Sequence, residues 1–262
     1  MFDLIDIGAN LTHDSFDPDR DEIIRRANAA GVTRLIVTGT TLEASRQAAH
    51  LAQLYPRQLF STVGVHPHHA ADIDPDTLAA LRKLAVADAV VAIGECGLDF
   101  FRDYAPRSAQ LKGFEEQLRI ATEIKKPVFL HQREAHDCMV SLLRQYLPEI
   151  AGGVAHCFTG NAAELRDYLD VGLHIGITGW ICDERRADAL RDAIKYLPLD
   201  RIMLETDAPY LLPRDLPEKP RGRRNEPATL PHILERAAHY MNCPVAEVAA
   251  AATRNTEELF KI

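Results

Sequence analysis

The chain has 262 residues, 47% hydrophobic and 26% charged, the balance of a globular protein with one sizeable core. A formal charge of −8 and a pI near 5.8 exclude general electrostatic adhesion to nucleic acid or to an anionic membrane, but leave room for a local basic patch. Five cysteines without paired spacing (Cys96, Cys138, Cys157, Cys182 and Cys243) exclude a disulfide frame and suit reduced thiols. No apolar run approaches the ~20 residues of a membrane span.

In chain order, short β-branched runs alternate with helical patterns. The first strand spans 4–8 and leaves no room before it for a signal peptide, so the expected location is cytoplasmic. A helix capped by Asp19 follows and stops at Gly31, then a strand at 35–39 and a helix over 42–55 that ends at Pro56. Next come a strand at 61–66, a helix over 75–87, a strand at 90–95 and a long helix over 106–125. Pro127 opens the fifth strand, 127–131, and a helix over 134–147 leads to the sixth, 153–156. A helix over 162–171, a strand at 173–179, a helix over 183–197 and a strand at 202–207 complete the rhythm. Two closing helices span 229–241 and 245–260. Eight βα units predict one domain over residues 1–262, an α/β (β/α)8 TIM barrel.

Several of these strands end on a His, Glu or Asp, and the carboxyl ends of barrel strands are where catalytic residues project. Glu95, His131, His156 and Asp207 close strands four, five, six and eight. Two imidazoles and two carboxylates suit a divalent cation with an open position for water, Glu95, His131 and His156 as ligands and Asp207 as base or further ligand. His66 closes strand three, suited to metal or to a substrate phosphate; His69 reads as surface. Arg133, just past His131, is a phosphate donor or a partner for Glu134. Cys96 and Cys157 read as small residues behind the barrel. Trp180 is a stacking surface or a packing lid.

One connection stands out. Residues 208–231 carry six prolines and no secondary-structure pattern, and residues 214–224 hold five basic and two acidic side chains. Long irregular loops are often binding loops or lids. This one is expected to contact phosphate through Arg221, Arg223 and Arg224.

The runs Gly64-Val65-His66-Pro67-His68, Gly94-Glu95-Cys96-Gly97-Leu98-Asp99, His156-Cys157-Phe158-Thr159-Gly160 and Leu204-Glu205-Thr206-Asp207-Ala208-Pro209-Tyr210 together resemble the TatD family of metal-dependent deoxyribonucleases. So do Arg224-Asn225-Glu226-Pro227 and Thr253-Arg254-Asn255-Thr256. The match runs through the whole chain, and Gly176 to Arg186 is more similar to the family's namesake nucleases than to their paralogues. The resemblance implies Mg²⁺, with Mn²⁺ or Zn²⁺ as alternatives, held by Glu95, His131 and His156, Asp207 beside them, and His66 near the substrate phosphate. It also implies 3′–5′ exonuclease action on single-stranded DNA ends and on RNA, with a part in DNA repair or turnover.

The family pattern places His-x-His at the end of strand one, where this chain has Gly8 and Asn10. One firmly held ion is therefore expected, with a second bound weakly. Fewer imidazoles also lessen the bias towards zinc. The rival readings are a metal-dependent amide or ester hydrolase acting on an aminoacyl-tRNA or cyclic amide, and a non-catalytic barrel that binds a partner. A monomer is expected.

Overall fold

The computed structural model describes residues 2–220 and 222–262, so Arg221 lies outside the described residues. Eight strands follow one another in a single sheet in sequence order: β1 (Leu4–Ala9), β2 (Val32–Val37), β3 (Leu59–Val63), β4 (Val90–Asp99), β5 (Val128–Arg133), β6 (Gly153–Ala155), β7 (His174–Ile177) and β8 (Ile202–Leu204). The pairings β3–β4, β4–β5, β5–β6 and β7–β8 are parallel. The helices are α1 (Arg20–Ala29), α2 (Leu42–Leu54), α3 (Pro75–Ala85), α4 (Arg107–Ile124), α5 (His136–Tyr146), α6 (Ala162–Asp170), α7 (Asp188–Ala193), α8 (Leu230–Met241) and α9 (Val245–Phe260). This order is the (β/α)8 fold that the strand rhythm predicts.

The chain forms two compact units. The first takes in the chain up to Ile36, Cys157–Leu169 and His174–Glu258. Its buried residues include Ile7, Leu35, Ile177, Met203, Leu204, Ile233 and Leu234. Here β8 returns to β1: Asp207 N–H donates to Gly8 O at 2.8 Å, Asn10 N–H to Ala208 O at 2.7 Å, and Ala9 and Ala208 form a parallel bridge. Buried Asp6 accepts from the Thr206 amide at 2.9 Å and from the Gly8 amide at 3.1 Å. Burial pushes its carboxyl up to about 7 against the pull of those bonds. The second unit comprises Val37–His156, Asp170–Leu173 and Leu259–Ile262, with Val63, Ile93, Phe114, Leu118, Phe129 and Leu143 buried.

Capping follows ordinary side-chain chemistry. Thr41 accepts from the Ala44 amide at the start of α2, and Asp74 accepts from the Thr77 amide ahead of Pro75 in α3. Two expectations are overturned. Asp19 makes no capping bond to α1, because its carboxylate is taken by Arg26 and Arg224. The helix over 183–197 shrinks to α7, with single-turn 3-10 helices at Gly179–Cys182 and Ile194–Tyr196. Its first residues are diverted because Asp183 accepts from the Arg185 amide and pairs with the guanidinium groups of Arg185 and Arg186, a local alternative to helical bonding.

Strand β4 runs four residues beyond the predicted 90–95. Its register with β5 slips between Ile93 and Cys96, where Gly94 and Glu95 stand opposite the single residue Phe129 as a bulge. Gly94 has φ +146°, and a Cβ there would lie 2.2 Å from Phe129 O. Gly94→Ala should therefore lower the thermal midpoint by about 5 °C or more, given a strain of roughly 2 kcal/mol. Calorimetry giving a midpoint within about 1 °C of the parent would refute that.

Candidate metal centre

The second unit assembles the site from the ends of four consecutive strands. His66 lies three residues past β3 and opens the 3-10 turn Pro67–Asp72; its Nδ1 accepts from the His68 amide at 3.2 Å, so its Nε2 is free to face Glu95. That nitrogen lies 3.4 Å from Glu95 Oε1. His131 Nδ1 lies 3.0 Å and His156 Nε2 3.6 Å from the same oxygen. His156 is fixed by its amide, which donates to Leu130 O, and by its ring, tilted against Phe129 at 4.7 Å. Three imidazole nitrogens thus converge on one buried carboxylate oxygen.

Behind them stands Asp99, which the sequence reading quoted only within a motif. It is buried, and its Oδ2 faces His68 Nε2 at 2.7 Å and His131 Nε2 at 3.3 Å. Its Oδ1 accepts from the amides of Phe101 and Arg102, and its own amide donates to Gln110. Asp99 therefore holds the outer nitrogen of His131 while the inner one faces Glu95, the carboxylate–histidine arrangement that orients metal ligands. His68, named from the sequence only within a motif, belongs to the same network.

The electrostatics sort the groups. Burial drives the His66 pKa down to about 3, leaving a neutral imidazole with a lone pair to offer. For Glu95 burial works against ionisation, but the facing rings of His66, His156 and His131 outweigh it and hold the carboxyl well below the usual range. Asp99 is likewise held low against its burial, chiefly by His131 and the Arg102 amide. His131 is shifted upward: burial opposes its charge, while Asp99 and Glu95 favour it.

Such a donor set fits a divalent cation. His66, Glu95 and His131 each offer a ligand atom within 4.8 Å of the others, and a buried anion surrounded by ring nitrogens is completed by positive charge. His66, expected at the substrate phosphate, stands within the donor set itself.

In the first unit, Asp207 follows β8 with φ +54°. Asn10 Nδ2 donates to Asp207 Oδ1 at 3.0 Å and to Ala208 O at 3.3 Å. Two acceptors fix which end of the amide faces Asp207, so Asn10 presents hydrogens to the carboxylate. Fully buried Glu205 accepts from the Cys157 amide. Cys157 is half-buried with φ +46°, its Sγ 3.5 Å from Thr178 Oγ1 and within 4.8 Å of an Asp207 oxygen, so it stands by the candidate base and not behind the barrel. Cys96 does lie fully buried. Arg186 covers the Trp180 ring at 4.1 Å.

The proline-rich connection divides into anchored and exposed parts. Asp215 is gripped by His232 at 2.7 Å and Arg236 at 2.8 Å, both on α8. Arg224 forms ion pairs with Asp19 at 2.7 Å and Glu226 at 3.1 Å and donates to Ser15 O, bracing the loop's base. Arg223 is exposed, with φ +60°. In the second unit Arg133 stacks on Phe101 at 3.9 Å.

Residues 5–261 match the model of the family described as TatD related DNase. The chain belongs to that family. It is 52% identical over 259 residues to the 3′-5′ ssDNA/RNA exonuclease TatD of Citrobacter rodentium, with 99% of this chain and 98% of the relative covered. A TatD homologue of Escherichia coli K12 superposes with a TM-score of 0.90 at 30% identity, over 99% of this chain and 98% of that one. A TatD-family hydrolase of Entamoeba histolytica gives 0.90 at 27% identity over the same shares. The TatD-related chain is thus a hydrolase of the nuclease class, from a metal-dependent family. No helix among the described residues is long and apolar enough to cross a membrane.

Two predictions follow from this geometry. Asp99→Asn keeps the size but removes the charge behind His131, so Mn²⁺ affinity by calorimetry should fall roughly 10- to 100-fold; unchanged affinity would remove Asp99 from the support of the site. The bond from Arg224, above all, lowers the Asp19 pKa from 3.8 to about 2. A depressed carboxylate stabilises the fold above its unfolded-state value and loses that contribution as pH falls towards 2. Urea midpoints measured at pH 4 and pH 3 should therefore drop less in Arg224→Ala than in the parent; equal drops would count against the pairing.

Proposed function

We propose that this protein is a divalent-metal-dependent 3′–5′ exonuclease that trims single-stranded DNA ends and also acts on RNA. The observation that carries the reading is the convergence of His66, His131 and His156 on one oxygen of buried Glu95. Glu95, His131 and His156, joined by His66, would hold the ion, with Mg²⁺ favoured over Mn²⁺ or Zn²⁺. When bound, such an ion acidifies a water and polarises a phosphoryl oxygen. Polarity and strand preference are taken from the relatives, which are 3′-5′ exonucleases of single-stranded DNA and RNA.

Asp207, at the carboxyl end of the last strand, is assigned to orient the attacking water and take its proton. Asn10 donates to one oxygen of that carboxylate and so helps to orient it. Arg133 and exposed Arg223 are assigned to phosphate; the ion pairs of Arg224 favour bracing the loop that carries Arg223. Arg221 is assigned to phosphate from the sequence alone. The one departure from the family pattern, Gly8 and Asn10 in place of two histidines, fits a single firmly held ion with Asn10 as a positioning residue. A cytoplasmic monomer working in DNA turnover completes the reading.

The test is digestion of a 5′-labelled single-stranded oligonucleotide by the purified protein with Mg²⁺ or Mn²⁺. A ladder shortening from the 3′ end, abolished in Glu95→Gln and His156→Ala, is the expected result. Absence of product with either metal would refute the reading. An amide hydrolase would tolerate Arg133→Ala together with Arg223→Ala, whereas the nuclease should lose most of its activity. Asn10→Ala should lower kcat roughly ten-fold, about the weight of one charge-assisted hydrogen bond, with KM little changed. A shift confined to KM would instead place Asn10 on the substrate.

A further inference from the structure

Two aromatic side chains beside the metal centre have no core to serve. Phe101 is 48% and Tyr104 66% exposed, on the short segment between β4 and α4. Isolated exposed aromatics are ordinary. These two are tied to the site. The amides of Phe101 and Arg102 both donate to Asp99 Oδ1, whose other oxygen faces His68 and His131. The segment is therefore fastened to the carboxylate that orients the candidate ligand His131.

The rings continue the order of the site outward. Tyr104 lies edge-on to His68, centroids 4.7 Å apart, and His68 lies 4.2 Å from His66, whose Nε2 faces Glu95. On the same segment Phe101 carries the Arg133 guanidinium at 3.9 Å, with Arg102 at 5.8 Å. An acidic protein thus places, at one edge of its candidate metal centre, two exposed aromatic side chains and two cations.

A ligand suited to this edge has flat, polarisable rings joined by anionic links. We propose that Phe101 and Tyr104 form a stacking platform for unpaired nucleobases next to the scissile end, with Arg133 on the adjoining phosphate. Base-on-aromatic stacking tolerates any base, because every base has a π-face. In a duplex those faces are covered by neighbouring pairs, so the platform also selects frayed or single-stranded ends. The assignment rests on the nuclease reading and adds the residues that choose the strand form.

A chemical cycle on the full-length protein tests it. The ligands are a fluorescent single-stranded oligonucleotide and one of equal length whose last three 3′ nucleotides are abasic, both read by anisotropy with Ca²⁺ and by digestion with Mg²⁺. For the base-bearing strand Phe101→Ala and Tyr104→Ala should each raise Kd and KM about ten-fold. On the abasic strand the change should stay under about two-fold, since phosphate contacts are common to both. Phe101→Tyr and Tyr104→Phe keep the rings and should restore binding. Equal losses on both strands, or none on either, overturn the platform. If the parent binds the base-bearing strand and releases no nucleotide, the exonuclease reading fails while a loss of that binding in Phe101→Ala still supports the platform.

Discussion

A buried carboxylate is costly to keep ionised, and the site is organised around that cost at Glu95. Burial alone would protonate it; facing rings hold it charged. Those rings cannot leave without exposing an uncompensated anion in the interior, so the ends of β3, β4, β5 and β6 are bound together through one oxygen atom. A cation placed among them replaces repulsion between ring nitrogens by coordination. The same need for positive charge suits the arrangement to a metal ion.

The β4 bulge is the backbone counterpart. A regular parallel register would alternate side chains along β4 and set Glu95 by ordinary strand geometry. The extra residue re-aims it, and Gly94 and Gly97 accept the positive φ values that this requires. Four residues on, Asp99 fixes His131 from outside and holds the segment bearing Phe101 and Tyr104. One strand thus supplies the candidate ligand carboxylate, the carboxylate behind the candidate ligands, and the anchor of the proposed base platform.

The end of β1 bears on the candidate base: Gly8 contributes a carbonyl to the Asp207 amide and Asn10 a donor to the Asp207 side chain. This arrangement suits the chemistry, with one more hydrogen bond to keep a carboxylate oriented. In the proline-rich connection, Arg224 and Asp215 are tied down and Arg223 is presented outward, which a count of basic residues cannot distinguish.

Much of this protein was legible from one-dimensional pattern. Strand period, helix length and the recurrence of His, Glu and Asp at strand ends named the fold, because a βα unit buries its strand only when its neighbours do the same. They also picked out Glu95, His131 and His156. Asp99, His68 and the true orientation of Asn10 escaped, since each acts through a partner 31 to 197 positions away in the chain. Asp19 and Asp183 misled for the same reason: local rules assign a carboxylate to the nearest helix, whereas the folded chain offered it arginines. Residue type and spacing determined which groups could do chemistry; only tertiary structure decided which oxygen meets which nitrogen, because hydrogen bonds and ion pairs are settled over a few ångströms, a length that sequence distance does not measure.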